Sequence, residues 1–436
     1  MKFKKIINLC LVASMLLGAL SGCSKKEIPT DEDNNVKEEA AELKPEEGAE
    51  LSFWVLSGDA EFGKAVAGEF EAKYGVKVEV QEAGFDVVNK MMLDGPSGNG
   101  ADVFVAPHDL FTTAKDSGVV AELSSNASKI VKDQVSEVAV KTVTDDGKIY
   151  GVPVSVETYA LLYNKDLVKG EPATTMEQIK EEALKYNDPS ANKFWYLTVP
   201  TDGFPAYPYL SLNGFELFGP DGKDGDNPGF NTEEFKKGLE NIAKLKEFIP
   251  IKADDLKMET MTLLEQNFKD GKTAYYPIGP WLIKSLKAEN VNFGVTKLPT
   301  LDGKQMKSLS GVQSAYVSSY SKYPQAAELL ATFLSSDEAA QLLYEKSYKI
   351  TAKNDISNVK GLKEDKDLSV FTEQFKNSVP MPSTKRISYY WTIMQSVLNP
   401  VFDGKMTPEE GAKKAQSDFE ALVTSENQHE FCSCYT

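Results

Sequence analysis

Phe62, Val66, Phe70 and Tyr74 recur at every fourth position, with polar or small residues between them, and Gly75 follows. This spacing puts the four on one face of a helix over 60–74 that a glycine ends. Short apolar runs flank it, at 51–56 (LSFWVL) and 76–80, and both predict strands. The same rhythm continues along the chain. Further strands are predicted at 102–106 (DVFVA), 148–156, 194–199, 273–278, 291–298 and 314–319, and Tyr159 to Tyr163 is also strand-like. Helices are predicted between them at about 175–186, 233–248, 257–270, 323–346 and 388–400. A last helix is clearly punctuated. Thr407 is its N-cap, Pro408 its first residue, Glu409 and Glu410 its acidic first turn, and Ala412, Ala415, Phe419 and Leu422 its apolar face.

Strands alternating with helices imply an α/β protein whose sheets are mainly parallel and flanked by helices. At 436 residues the chain is too long for one such sheet, so two α/β lobes are expected. Ligands of open α/β sheets bind beyond the carboxyl ends of the strands, and in a two-lobed protein that edge faces the cleft. No internal repeat is visible.

The N-terminus follows a different pattern. Lys2, Lys4 and Lys5 precede an apolar run from Ile6 to Leu20, broken only by Asn8 and Ser14. The run is too short to span a membrane and reads as an export signal over 1–22. Leu20-Ser21-Gly22-Cys23 resembles a bacterial lipobox, which predicts a lipid on Cys23. Residues 24–50 hold ten acids, four lysines and almost nothing apolar, so the segment 23–50 reads as a lipid-anchored acidic linker.

Net charge narrows the partners. The chain carries −17, and losing the three lysines of the signal takes it to −20. Nucleic acid and anionic lipid both favour a basic face, so neither is expected as a main partner, and membrane attachment would rest on the lipid. Four cysteines exclude a disulfide scaffold, and His108 and His429 alone make a histidine-rich metal centre implausible. The tail His429-Glu-Phe-Cys432-Ser-Cys434 could grip a metal but reads better as a frayed end over 424–436. No Walker-type loop and no G-x-S-x-G elbow are present. No cofactor, metal or catalytic residue is expected.

Candidate chemistry gathers where strands end. Asp59 follows the first strand, Asp109 the DVFVA strand, and Glu157 the Val152–Val156 run. Asp59 and Asp109 read either as helix caps or as ligand contacts, and Glu157 either as a ligand contact or as a hinge salt bridge. Trp281 and Trp391 stand at helix starts, and Phe204, Tyr207 and Tyr209 surround Pro205 and Pro208. Such rings pack in cores or form stacking walls. Flat aromatic faces with carboxylates suit carbohydrate, which offers an apolar C–H face and a fringe of hydroxyls.

One ordered series of segments runs through the body. It comprises Phe53-Trp54-Val55 with Gly58-Asp59; Val76-Lys77-Val78; Ala101 to Asp109 (ADVFVAPHD); Tyr150 to Glu157 (YGVPVSVE) running into Leu162 to Leu167; Gly279-Pro280-Trp281; Phe293 to Pro299; and Met381-Pro382 leading to Trp391. From about 51 to 423 the chain thereby resembles the maltose/maltodextrin-binding proteins of ABC importers, within extracellular solute-binding family 1. The resemblance implies a two-lobed periplasmic-binding-protein-like fold of type II, with crossings near 156–159, 310–314 and 367. Lobe I would be 51–156 plus 315–366, and lobe II 157–314 plus 367–423. Asp59, Asp109 and Glu157 would accept bonds from sugar hydroxyls, Trp281 and Trp391 would stack, and Asp202 and Phe204 would match a family acid and aromatic. A monomeric protein is implied, bound to maltodextrin-like oligosaccharide, to ABC permease subunits, and through Cys23 to the outer face of the cell membrane. Family donors are replaced by Ala60, Leu110, Thr392 and Gln395, and a family tryptophan by Ala106. A glycan-degrading enzyme with two cleft carboxylates is the alternative, and a structural adhesin a third reading.

Overall fold

The computed structural model describes residues 43–433. The export signal, Cys23, most of the acidic linker and Cys434 lie outside the described residues.

Two sheets build the body. The first runs in the order Ile350–Thr351, Gly151–Thr158, Leu309–Val317, Val103–Pro107, Glu50–Leu56, Lys77–Ala83, with Val379–Pro380 also pairing Leu309–Val317. The second runs Phe293–Thr296, Ala160–Asn164, Thr273–Ile278, Phe194–Tyr196. The expectation of mainly parallel sheets needs correction, because both are mixed. Glu50–Leu56 pairs in parallel with Lys77–Ala83 and Val103–Pro107, since the helix Ala60–Tyr74 carries the chain back before the next strand. Leu309–Val317 instead arrives from the second lobe with no returning helix before it. It enters from the opposite end and pairs antiparallel with Val103–Pro107 and Gly151–Thr158.

Crossings between the sheets are short. Only Tyr159 separates Gly151–Thr158 of the first sheet from Ala160–Asn164 of the second. The return passes into the first sheet at Leu309, where Thr158 Oγ1 donates to the Leu309 carbonyl at 2.9 Å. The helix Lys366–Lys376 follows, and Gln374 Oε1 accepts the Leu298 N–H at 3.1 Å. His108 locks this region. Its Nδ1 accepts the Val312 N–H at 3.0 Å, so Nε2 carries the hydrogen and donates to the Met381 carbonyl at 3.1 Å. Burial holds its pKa below the ordinary histidine value, so the ring serves as a neutral strut.

Boundaries shift where distant segments intervene. Both Glu46 oxygens accept N–H groups, from Gln325 and Ala326 at 2.9 Å, at the start of the helix Pro324–Phe333. A helix start offers unpaired N–H groups and partial positive charge, so it holds the Glu46 carboxylate. The helix expected over 323–346 is two, Pro324–Phe333 and Asp337–Ser347, because Ser336 caps a new start through the Ala339 N–H at 3.1 Å. The tail does not fray after 423. The last helix is Pro408–Ser433, held past that point by Glu426, which accepts Arg386 Nε at 2.8 Å and pairs with Lys385 at 2.5 Å. Arg386 is the chain's sole arginine.

Candidate functional site

The first lobe supplies an acidic wall. Asp59 occupies the N-cap position of Ala60–Tyr74, yet its side chain caps nothing. Its Oδ1 accepts Ser347 Oγ at 2.7 Å and its Oδ2 accepts Lys349 Nζ at 2.5 Å. Asp109 stands in a single turn, His108–Leu110, at the end of Val103–Pro107, and does not cap the next helix either. Its Oδ2 accepts Trp391 Nε1 at 3.2 Å, and its Oδ1 is buried without a hydrogen-bond partner among the described residues. Burial raises the Asp109 pKa, while the Trp391 N–H partly opposes the rise.

Glu157 is half-buried on Gly151–Thr158, and its Oε1 accepts Gln313 Nε2 at 2.7 Å. No cation lies within ion-pair distance of it among the described residues, so the hinge salt bridge is absent. Burial raises its pKa. Lys349 acts against that rise, and Asp59 and Asp109 add to it.

The second lobe supplies an aromatic wall. Trp281 opens the helix Trp281–Ala288, just beyond the strand Thr273–Ile278. Its ring meets Tyr159 edge-on at 5.8 Å, and Tyr159 meets Phe204 likewise at 5.1 Å. A Cβ at Gly279 would lie 1.9 Å from Trp281 Cζ3, so the ring lies directly over the glycine. Trp391, on Ile387–Phe402, packs edge-on against Tyr390 at 4.8 Å. Tyr390 in turn donates to the Gly203 carbonyl at 2.8 Å, which joins that helix to Gly203–Leu210. Asp202 is a helix cap: its Oδ1 accepts the Phe204 N–H at 2.9 Å. Burial raises its pKa, which that bond opposes.

The walls meet. Trp391 bonds Asp109 across the cleft, and Lys284 of Trp281–Ala288 pairs with Glu61 of Ala60–Tyr74. Asp59, Asp109 and Glu157 thus gather on one side, with Trp281, Trp391 and Phe204 on the other. Sequence reasoning missed Lys349, Gln313 and the site role of Tyr159. A residue alone between two strands, as Tyr159 is, could have flagged the last; Lys349 sits in a polar stretch with no local signal. Among the described residues, no group of three or more His, Cys, Asp or Glu side chains is placed to hold a metal.

The model of a family described as bacterial extracellular solute-binding protein matches residues 65–370. The chain belongs to this family. A galactooligosaccharide-binding protein from Bacillus subtilis (strain 168) is 30% identical over 422 residues, covering 95% of this chain and 96% of that protein. A maltooligosaccharide ABC transporter solute-binding lipoprotein from Streptococcus pneumoniae is 27% identical over 436 residues, covering 99% and 98%. The crystal structure of MalX from Streptococcus pneumoniae with maltopentaose superposes with a TM-score of 0.78 at 28% identity, covering 85% of this chain and all of that one. The fold is therefore the two-lobed one of such binding proteins. The family is one of extracellular solute binding, and the relatives named above are binding proteins rather than enzymes. That sets aside the glycan-degrading alternative.

Proposed function

We propose that this protein captures maltodextrin-type oligosaccharide between its lobes and hands it to the permease of an ABC importer. A lipid on Cys23 holds it at the outer face of the membrane, and it works as a monomer. The observation that carries the reading is the bond from Trp391 Nε1 to Asp109 Oδ2, which brings a stacking ring of one lobe against a carboxylate of the other. Asp109 and Glu157 accept hydrogen bonds from sugar hydroxyls, and Asp59 does so within its ion pair. Trp281, Trp391 and Phe204 stack on sugar faces, and Asp202 supports Phe204 as its cap. A ligand that touches both walls favours the closed arrangement, which is what the permease recognises.

A second reading has its own support: a galactooligosaccharide-binding relative is 30% identical to this chain. Titration calorimetry with maltotriose, maltopentaose and a galactotriose decides between them. Maltotriose and maltopentaose are expected to bind, and preference for galactotriose would overturn the maltodextrin reading. New reducing ends from maltoheptaose would overturn binding without turnover. Release of a Cys23→Ser variant from membranes, with unchanged sugar affinity, is expected if the lipid is the anchor.

A further inference from the structure

Lys349 reaches Asp59 from a distant part of the chain, 290 positions after it. It lies between the helix Asp337–Ser347 and the strand Ile350–Thr351, at the edge of the first sheet. Its side chain is 14% exposed and that of Asp59 10%. Taking a cation so far out of water is unfavourable unless it is paired, and Asp59 pairs it. The pairing uses only part of what each partner offers. An ammonium has three donors, and the described residues accept one of them. A carboxylate accepts about four bonds, and Asp59 receives two, from Ser347 and Lys349. The charge of Lys349 also acts on Glu157, against the rise that burial gives its pKa.

We infer that Lys349 is a specificity-determining ligand contact. Its free N–H groups donate to a sugar hydroxyl while Asp59, held by it, accepts from the neighbouring one. The inference rests on the carbohydrate reading above and adds the cation that this wall of acceptors otherwise lacks. Adjacent donor and acceptor suit a vicinal diol, whose two oxygens can split the roles. Ala60, next to Asp59, has no donor to offer in its place.

The test is calorimetry on the full chain with maltotriose, galactotriose and a set of singly deoxygenated forms of whichever binds. Lys349→Met is expected to weaken binding about tenfold or more, the usual effect of losing a charged hydrogen bond. It leaves Asp59 buried and unpaired, so Asp59→Asn with Lys349→Met serves as the second variant, with no uncompensated charge. It too should bind weakly while melting as a folded protein. One deoxy sugar should lose affinity for the unaltered chain and lose nothing further against either variant, whereas a merely structural role would depress all sugars alike. Unaltered affinity of both variants, or equal deoxy losses in all three proteins, overturns the inference and leaves the carbohydrate reading standing. Failure of the unaltered chain to bind either sugar overturns that reading and the inference with it.

Discussion

The acidic wall of the first lobe and the aromatic wall of the second place opposite demands on the fold. Carboxylates held out of water are unfavourable, and burial raises the pKa of both Asp109 and Glu157. Rings such as Trp281 and Trp391 are stable where they lie, packed edge-on against Tyr159 and Tyr390. The first wall has to be held by segments that meet only in the folded chain, with Lys349 and Ser347 on Asp59 and Gln313 on Glu157. The second is seated partly by near neighbours, Gly279 under Trp281 and Tyr390 beside Trp391, and partly by Tyr159 and Gly203 from distant segments. Specificity is therefore expected to reside in the acids, and most of the affinity in the rings.

Breaking the aromatic wall should have the largest effect. Trp391→Ala removes both a stacking face and the bond to Asp109, and should cost about 2–3 kcal/mol of maltotriose binding by calorimetry, with Trp281→Ala costing about 1–3. Folding should change little; a variant that unfolds while its folded remainder binds normally would assign that ring to the core. Asp109→Asn keeps the shape and loses the charge, and should weaken binding by about 1–2 kcal/mol. Gly279→Ala should displace the Trp281 ring that lies over it. A loss of about 1 kcal/mol in affinity with a nearly unchanged melting temperature would mark it as a pure positioning effect. Asp202→Ala should lower stability by about 1 kcal/mol through the lost cap, with affinity almost intact. A large affinity loss would instead move Asp202 onto the binding wall.

The smallest expected change has the opposite sign. Burial raises the Glu157 pKa in the folded protein, so as pH rises the unfolded chain releases this proton first. The native state is penalised from the ordinary carboxylate range, about pH 4, upward, and fully so above the raised value. Glu157→Gln should then stabilise the sugar-free protein at pH 7 and do so less as pH falls to 4, while weakening sugar binding. Denaturant midpoints at the two pH values check this, and equal midpoint shifts would remove the electrostatic cost from the comparison.

Much of this was legible in the chain. The helix Ala60–Tyr74 and the strand Thr273–Ile278 have the bounds their patterns predict, because apolar spacing and a terminal glycine act over a few residues. Acids and tryptophans at strand ends pointed to the cleft because the carboxyl edge of a sheet is where an α/β fold leaves space. The role of each acid was not legible. Asp59, Asp109 and Asp202 all precede helices, yet only Asp202 caps one.

Local pattern pointed to most element types and to the candidate site residues, since these depend on neighbours a few positions away, and chain length added the two-lobed α/β class. Tertiary structure decided the direction of the return strand, the seat of Glu46 on a helix start, the extension of the last helix by Glu426, and the meeting of Lys349 with Asp59. Each of these joins groups far apart in the chain. An acid's side chain takes whichever donor folding brings nearest, and nothing in its immediate sequence identifies that donor.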